Sequence, residues 1–145
     1  MNSYMVKSAL ALVLALVCLT VLSMPTSGQK VKGGGGGSTA CADVATPTLS
    51  SNTSSPGLNV GVFGRVTNCS TGRQRYTVTI SAVSSCGQET VIASSLVTLN
   101  AGESKLISAS YPIAPGTCTG TSTVSISVSA GGTELGGQST SLTIQ

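Results

Sequence analysis

The chain has 145 residues, a length that suits one domain, with a net charge of +3, 8% charged residues and 3% aromatics. The excess of Lys and Arg is small and scattered, and no dense basic stripe interleaved with aromatics is present, which argues against nucleic acid as a partner. Ser, Thr, Gly and Val dominate, and the positive mean hydropathy comes from an apolar N-terminal run rather than from a membrane-protein composition.

That run comes first. Lys7 precedes apolar residues from Ala9 to Leu22, and Ser23, Met24 and Pro25 follow. A positive start, an apolar stretch of roughly 7–15 residues and a polar exit describe a secretory signal peptide, whereas a membrane span needs about 20 apolar residues. Residues 1–28 are therefore expected to be removed, with small residues near 23 or 28 offering alternative cleavage sites. Cys18 follows Leu16 and Val17, and the bulky valine fits a lipid-attachment motif poorly, so a cleaved product without a membrane span is expected. Residues 29–40 form a spacer containing Gly33 to Gly37. These glycines lack the Lys-Ser/Thr of a phosphate-binding loop, leaving a flexible tether or a tail of no further consequence.

From Cys41 to the end, runs of period two alternate with turn signals. Leu58, Val60, Val62, Gly64 and Val66 share one side of a strand; so do Tyr76, Val78, Ile80 and Ala82, and so do Val124, Ile126, Val128 and Ala130. Weaker runs cover Ala42 to Leu49, Thr90 to Leu99, Lys105 to Tyr111 and Gly137 to Ile144. Ser55-Pro56-Gly57, Asn100-Ala101-Gly102 and Gly131-Gly132 supply turns, the last closing a hairpin. About seven short strands without helical periodicity predict an all-β, immunoglobulin-like antiparallel sandwich over 41–145. Its core would be aliphatic, with Phe63, Tyr76 and Tyr111 as the large aromatics available.

Beyond the leader the cysteines are Cys41, Cys69, Cys86 and Cys118, an even number in an exported chain. They lack the close pairing of a zinc site, and the chain has no histidine, so disulfides are expected and a metal is not. Three connectivities are possible. Alternating strand direction puts Cys41 and Cys69 at one end and Cys86 and Cys118 at the other, which ranks Cys41–Cys69 with Cys86–Cys118 first.

The absence of histidine removes the commonest general base, the four acidic residues are dispersed, and no Gly-x-Ser-x-Gly elbow occurs. The chain reads as a non-enzyme without a cofactor. Arg73-Gln74-Arg75 offers guanidinium groups for a carboxylate or sulfate, or simply a solvated loop. Asn52-Thr53-Ser54 and Asn68-Cys69-Ser70 both match the N-glycosylation sequon, which matters only in a eukaryotic source. Thr77, Thr79 and Ser81 should lie beside Ser125, Ser127 and Ser129, with Ser139, Ser141 and Thr143 on the last strand. Such a hydroxyl face suits contact with carbohydrate, mineral, ice or protein, or serves the sheet through cross-strand pairing.

The stretch Val60-Gly61-Val62-Phe63-Gly64-Arg65-Val66-Thr67-Asn68 resembles the second strand of bacterial Ig-like modules of the CARDB and fibronectin type III-like kind. Leu99-Asn100-Ala101-Gly102-Glu103-Ser104 is similar to a turn of the same modules. The resemblance spans about Val44 to Ile144 and implies an extracellular adhesion or spacer domain; the four cysteines depart from it. Secreted chromoprotein carriers of the neocarzinostatin type share two disulfides, but theirs close short local loops.

Together these features predict a secreted or extracytoplasmic module that binds or spaces other components, its partner a protein or carbohydrate at the cell surface. A secreted effector or inhibitor acting through the loop from Asn68 to Arg75 is the alternative, and a coating protein using the Ser/Thr face a third.

Overall fold

The computed structural model describes residues 39–145, and there the chain is all β. The expected signal peptide, Cys18 and the spacer glycines lie outside the described residues. In chain order the strands are β1 (Ala42–Val44), β2 (Thr48–Leu49), β3 (Thr53–Ser54), β4 (Asn59–Asn68), β5 (Gln74–Val83), β6 (Glu89–Leu99), β7 (Ser104–Pro112), β8 (Gly120–Ala130) and β9 (Thr133–Ile144). One sheet has β4 at its centre, with β7 along one side and β1 and β2 along the other. The second runs β3-β9-β8-β5-β6, antiparallel except for the short β3–β9 pair.

Period-two patterning makes the sandwich. Val60, Val62 and Val66 of β4 face Tyr76, Val78 and Ile80 of β5 and Val124, Ile126 and Val128 of β8, all buried. Each such aliphatic side chain contributes about 1.5–3 kcal/mol on leaving water. Gly64 belongs to the same inward set because Ile126, reaching across from the other sheet, occupies the space a Cβ would fill. The Gly131-Gly132 hairpin closes with both residues at positive φ (57° and 82°), as a type I′ turn requires, and pairs Ala130 with Thr133.

Five expectations are corrected. The run Ala42 to Leu49 is not one strand: it breaks into β1 and β2 around Pro47, which has no N–H to give the ladder. The chain then crosses to the other sheet and adds β3, giving nine strands instead of seven. The last strand begins at Thr133 rather than Gly137, since the glycine turn allows pairing at once. Phe63 is outside the core: it falls between inward Val62 and Gly64, and its ring lies over Gly61 on the outer face. Leu58, which precedes β4 in the Pro56-Gly57 turn, is likewise exposed.

Cys41 is bonded to Cys69 and Cys86 to Cys118, with Cα atoms 5.1 and 6.1 Å apart. Their sequence separations of 28 and 32 correspond to about 3–4 kcal/mol each by restriction of the unfolded chain. The first bridge lies beside a buried polar node. Asn68, fully buried at the end of β4, directs Nδ2 at the carbonyls of Gly72 (2.8 Å), Leu99 (3.0 Å) and Asn100 (3.0 Å). Its Oδ1 accepts from the Ser70 N–H at 2.9 Å and from the Ser70 hydroxyl. The Tyr76 hydroxyl, from the opposite sheet, lies 2.6 Å from that oxygen and 2.8 Å from the Cys41 carbonyl, so its one proton serves two acceptors. The Asn68 backbone bonds Gly102 and Glu103 in the turn between β6 and β7.

Ser122 behaves differently. Its hydroxyl faces inward on β8, fully buried and without a hydrogen-bond partner. An unmade bond of this kind costs about 1–3 kcal/mol. In urea unfolding, Gly64→Ala is expected to destabilise by about 1–3 kcal/mol, because the methyl group collides with Ile126. Ser122→Ala is expected to be neutral or to stabilise by up to about 1 kcal/mol in the same assay.

Candidate binding face

The outer side of the five-stranded sheet gathers most of the hydroxyl groups marked by the sequence. On β5 and β8, Thr77 stands opposite Ser129, Thr79 opposite Ser127 and Ser81 opposite Ser125. On β9, Ser139 stands opposite Ser125, Ser141 opposite Thr123 and Thr143 opposite Thr121. Ser94 of β6 completes the Thr79 row. Sheet geometry spaces these groups about 4.8 Å across strands and about 6.7 Å along them. The register follows from burial: a slip of one residue would turn the Val and Ile positions of β5 and β8 to water.

Hardly any of these hydroxyls are used within the sheet. Among the described residues one side-chain hydrogen bond joins two of them, Thr79 to Ser94 at 3.4 Å. Cross-strand pairing thus accounts for little of the pattern, and the remaining hydroxyls face solvent. Along β6 the face is apolar at Val91 (62% exposed) and Leu96 (59%).

Arg75 lies on the same side of β5 as Thr77, opposite Thr98 of β6, and is exposed. Arg73, also exposed, precedes the strand. What the sequence presents as two features, an arginine pair and a hydroxyl set, is brought together at Arg75: a positive end to a neutral ridge. Glu89 stands at the other end of β6, opposite Val83. The β4-centred sheet exposes a smaller patch, where Phe63 and Leu106 flank Arg65.

The sequence gives Asn68 another role than the one it has. It reads there as a glycosylation sequon, yet its side-chain nitrogen is enclosed and directed at three carbonyls. Asn52, in the other sequon, is exposed. The two segments that carry the Ig-like resemblance meet at this point, through the bonds from Gly102 N–H to Asn68 O (2.8 Å) and from Asn68 N–H to Glu103 O (2.9 Å).

Among the described residues no ligand-sized pocket opens. The carboxylates stand apart, Asp43 on β1, Glu89 on β6, Glu103 in the turn before β7 and Glu134 on β9, and no group of three or more metal-ligating side chains assembles there. No described helix is long and apolar enough to cross a membrane.

No family model and no curated protein matches the chain. Solved structures do share its fold. The CARDB domain of a Pyrococcus furiosus protein, in complex with di-metal ions, aligns over 74% of this chain and 93% of its own, with a TM-score of 0.53 and 10% identity. An alkylpurine DNA glycosylase of Pseudomonas fluorescens aligns over 74% of this chain and 31% of its own (TM-score 0.62, 17% identity). A β-glucosidase of Erythrobacter marinus aligns over 73% and 16% (TM-score 0.61, 12% identity). The chain thus spans less than a third of the enzymes it resembles and nearly the whole of the archaeal domain. Its fold is that of a CARDB-like, immunoglobulin-like module.

Secretion through a glycosylating host gives a direct check on the Asn68 site. Peptide mapping of the folded, disulfide-bonded product is expected to find Asn68 unmodified, since a glycan there would displace the side chain from its three carbonyls.

Proposed function

We propose that the protein is a non-enzymatic extracytoplasmic module that binds or spaces components at the cell surface, and that the hydroxyl face of the five-stranded sheet is its contact surface. The observation that carries this reading is the in-register set on β5, β8 and β9, whose hydroxyls are almost wholly unused within the protein. A flat sheet face without a pocket suits an extended partner, a protein or a polysaccharide surface, better than a small molecule. Two disulfides favour an oxidising compartment. Solved enzymes in which this fold is a minor part of the chain support a modular role. The leader expected over 1–28 would export the domain, and the spacer over 29–40 would tether it.

The loop between β4 and β5 supports a second reading, an effector that presents Arg73. Asn68, Ser70 and the Cys41–Cys69 bridge pin this loop, so its tip is held rather than free to search.

Retention of the purified protein by envelopes isolated from the producing cells tests both. Thr79→Lys combined with Ser127→Lys puts two charges at the centre of the face without touching the core. This variant is expected to lose retention by about tenfold or more, with an unchanged unfolding midpoint. Undiminished retention would remove the face from consideration, and a comparable loss in Arg73→Glu would favour the loop.

A further inference from the structure

We infer that the protein forms a symmetric homodimer by antiparallel pairing of β6 with β6 of a second copy, joining two five-stranded sheets into one of ten strands.

The edges of the sandwich are not alike. A strand that ends a sheet leaves a row of backbone N–H and C=O groups open to another chain, and such edges are usually blunted by Lys, Pro, bulges or short length. Most edges here are blunted. β1 and β2 are short and separated by Pro47, β3 has two residues, and β7 carries Lys105 near its start and Pro112 at its end. β6 is the exception. It terminates the five-stranded sheet over eleven residues, with no charge and no proline from Thr90 to Leu99. Its single irregularity, where the register shifts between Ile80 and Ser81 of β5, lies near its beginning. Ala93 to Leu99 then pair regularly with β5 on one side, and no described strand pairs on the other.

The composition of the strand selects a second copy as its occupant. Leu96, 59% exposed, stands in the middle of the regular stretch, so antiparallel pairing near its centre brings the two Leu96 side chains together on one face. The charges at the two ends are opposite. Glu89 opens β6, while Arg75 stands beside Thr98 near its close, both exposed. With Leu96 opposite Leu96, Glu89 of each copy lies about four to five residues, or ~13–17 Å, along the strand from the level of the other copy's Arg75, so the opposite ends favour the antiparallel sense without forming an ion pair. Parallel pairing would put like ends together. A two-fold axis makes the interface isologous, so the assembly closes as a dimer rather than continuing as a fibre. This inference stands apart from the binding role proposed for the hydroxyl face, although pairing would make the two faces continuous.

Sedimentation velocity of the secreted protein with its disulfides intact, over about 1–100 µM, tests it. The wild type is expected to shift from monomer to twice the monomer mass within this range. Leu96→Lys, at an exposed position, is expected to remain monomeric while keeping its circular dichroism spectrum and melting temperature. Glu89→Arg is expected to leave the dissociation constant within about twofold, because Glu89 meets no opposite charge across the axis. A wild type that stays monomeric at the highest concentration would overturn the inference. So would a dimer indifferent to Leu96→Lys.

Discussion

A single buried asparagine ties together the segments at one end of this sandwich. Two sheets that meet through aliphatic side chains are held by contacts without direction, which fix area but leave the sheets free to slide. Asn68 supplies direction. From the last position of β4 it bonds its own loop at Gly72, the end of β6 at Leu99 and the turn at Asn100, and it receives the Tyr76 hydroxyl from the facing sheet. A buried amide with its groups occupied specifies one arrangement, while the same amide without partners would be strongly destabilising. The Cys41–Cys69 bridge sits over the node, and the Cys41 carbonyl shares the Tyr76 proton, so covalent and polar constraints act at the same place.

This end determines what the rest can present. With β4, β5 and the β6–β7 turn fixed relative to one another, the start of β5 is placed, and burial of its Val and Ile positions sets its register. The hydroxyl rows on β8 and β9 follow from that register through the pairings of Thr77, Thr79 and Ser81. At the other end Cys86–Cys118 ties the β5–β6 loop to the β7–β8 loop, and the Ser85 hydroxyl donates to the Thr119 carbonyl at 2.8 Å. The outer faces are thus firm platforms on a core with few aromatics. The load falls on Val and Ile packing and on close approaches such as Ile126 over Gly64.

Much of this is legible in the sequence because period-two patterning determines both strand identity and facing. The six long strands, the Gly131-Gly132 hairpin and the common facing of Thr77, Thr79 and Ser81 on β5 and of Ser125, Ser127 and Ser129 on β8 follow from it, while the pairs they form come from strand order and register. The disulfide pairs follow from strand direction. What the pattern does not encode is long-range. Pro47 signals an interruption, but only the second sheet shows that the chain goes on to pair Thr53 and Ser54 with β9. Phe63 looks like core by type, and its parity on β4 turns it outward. Asn68 is the largest omission: its partners Tyr76 and Leu99 lie 8 and 31 residues away, and its immediate neighbours make a sequon instead. The exposure of β6 at the end of its sheet depends on strand order, which alternation of side chains leaves open.

The most direct test of the Asn68 node is a double-mutant cycle in urea unfolding, with Asn68→Ala, Tyr76→Phe and the pair, both disulfides oxidised. Asn68→Ala is expected to cost about 3 kcal/mol or more, because it strands three carbonyls and the Ser70 N–H, and Tyr76→Phe about 1–2 kcal/mol. The double variant is expected to fall short of their sum by about 1 kcal/mol, the sign of a shared network. A loss below about 1 kcal/mol for Asn68→Ala, or strict additivity with Tyr76→Phe, would contradict the account and leave the sheets aligned by packing and disulfides alone.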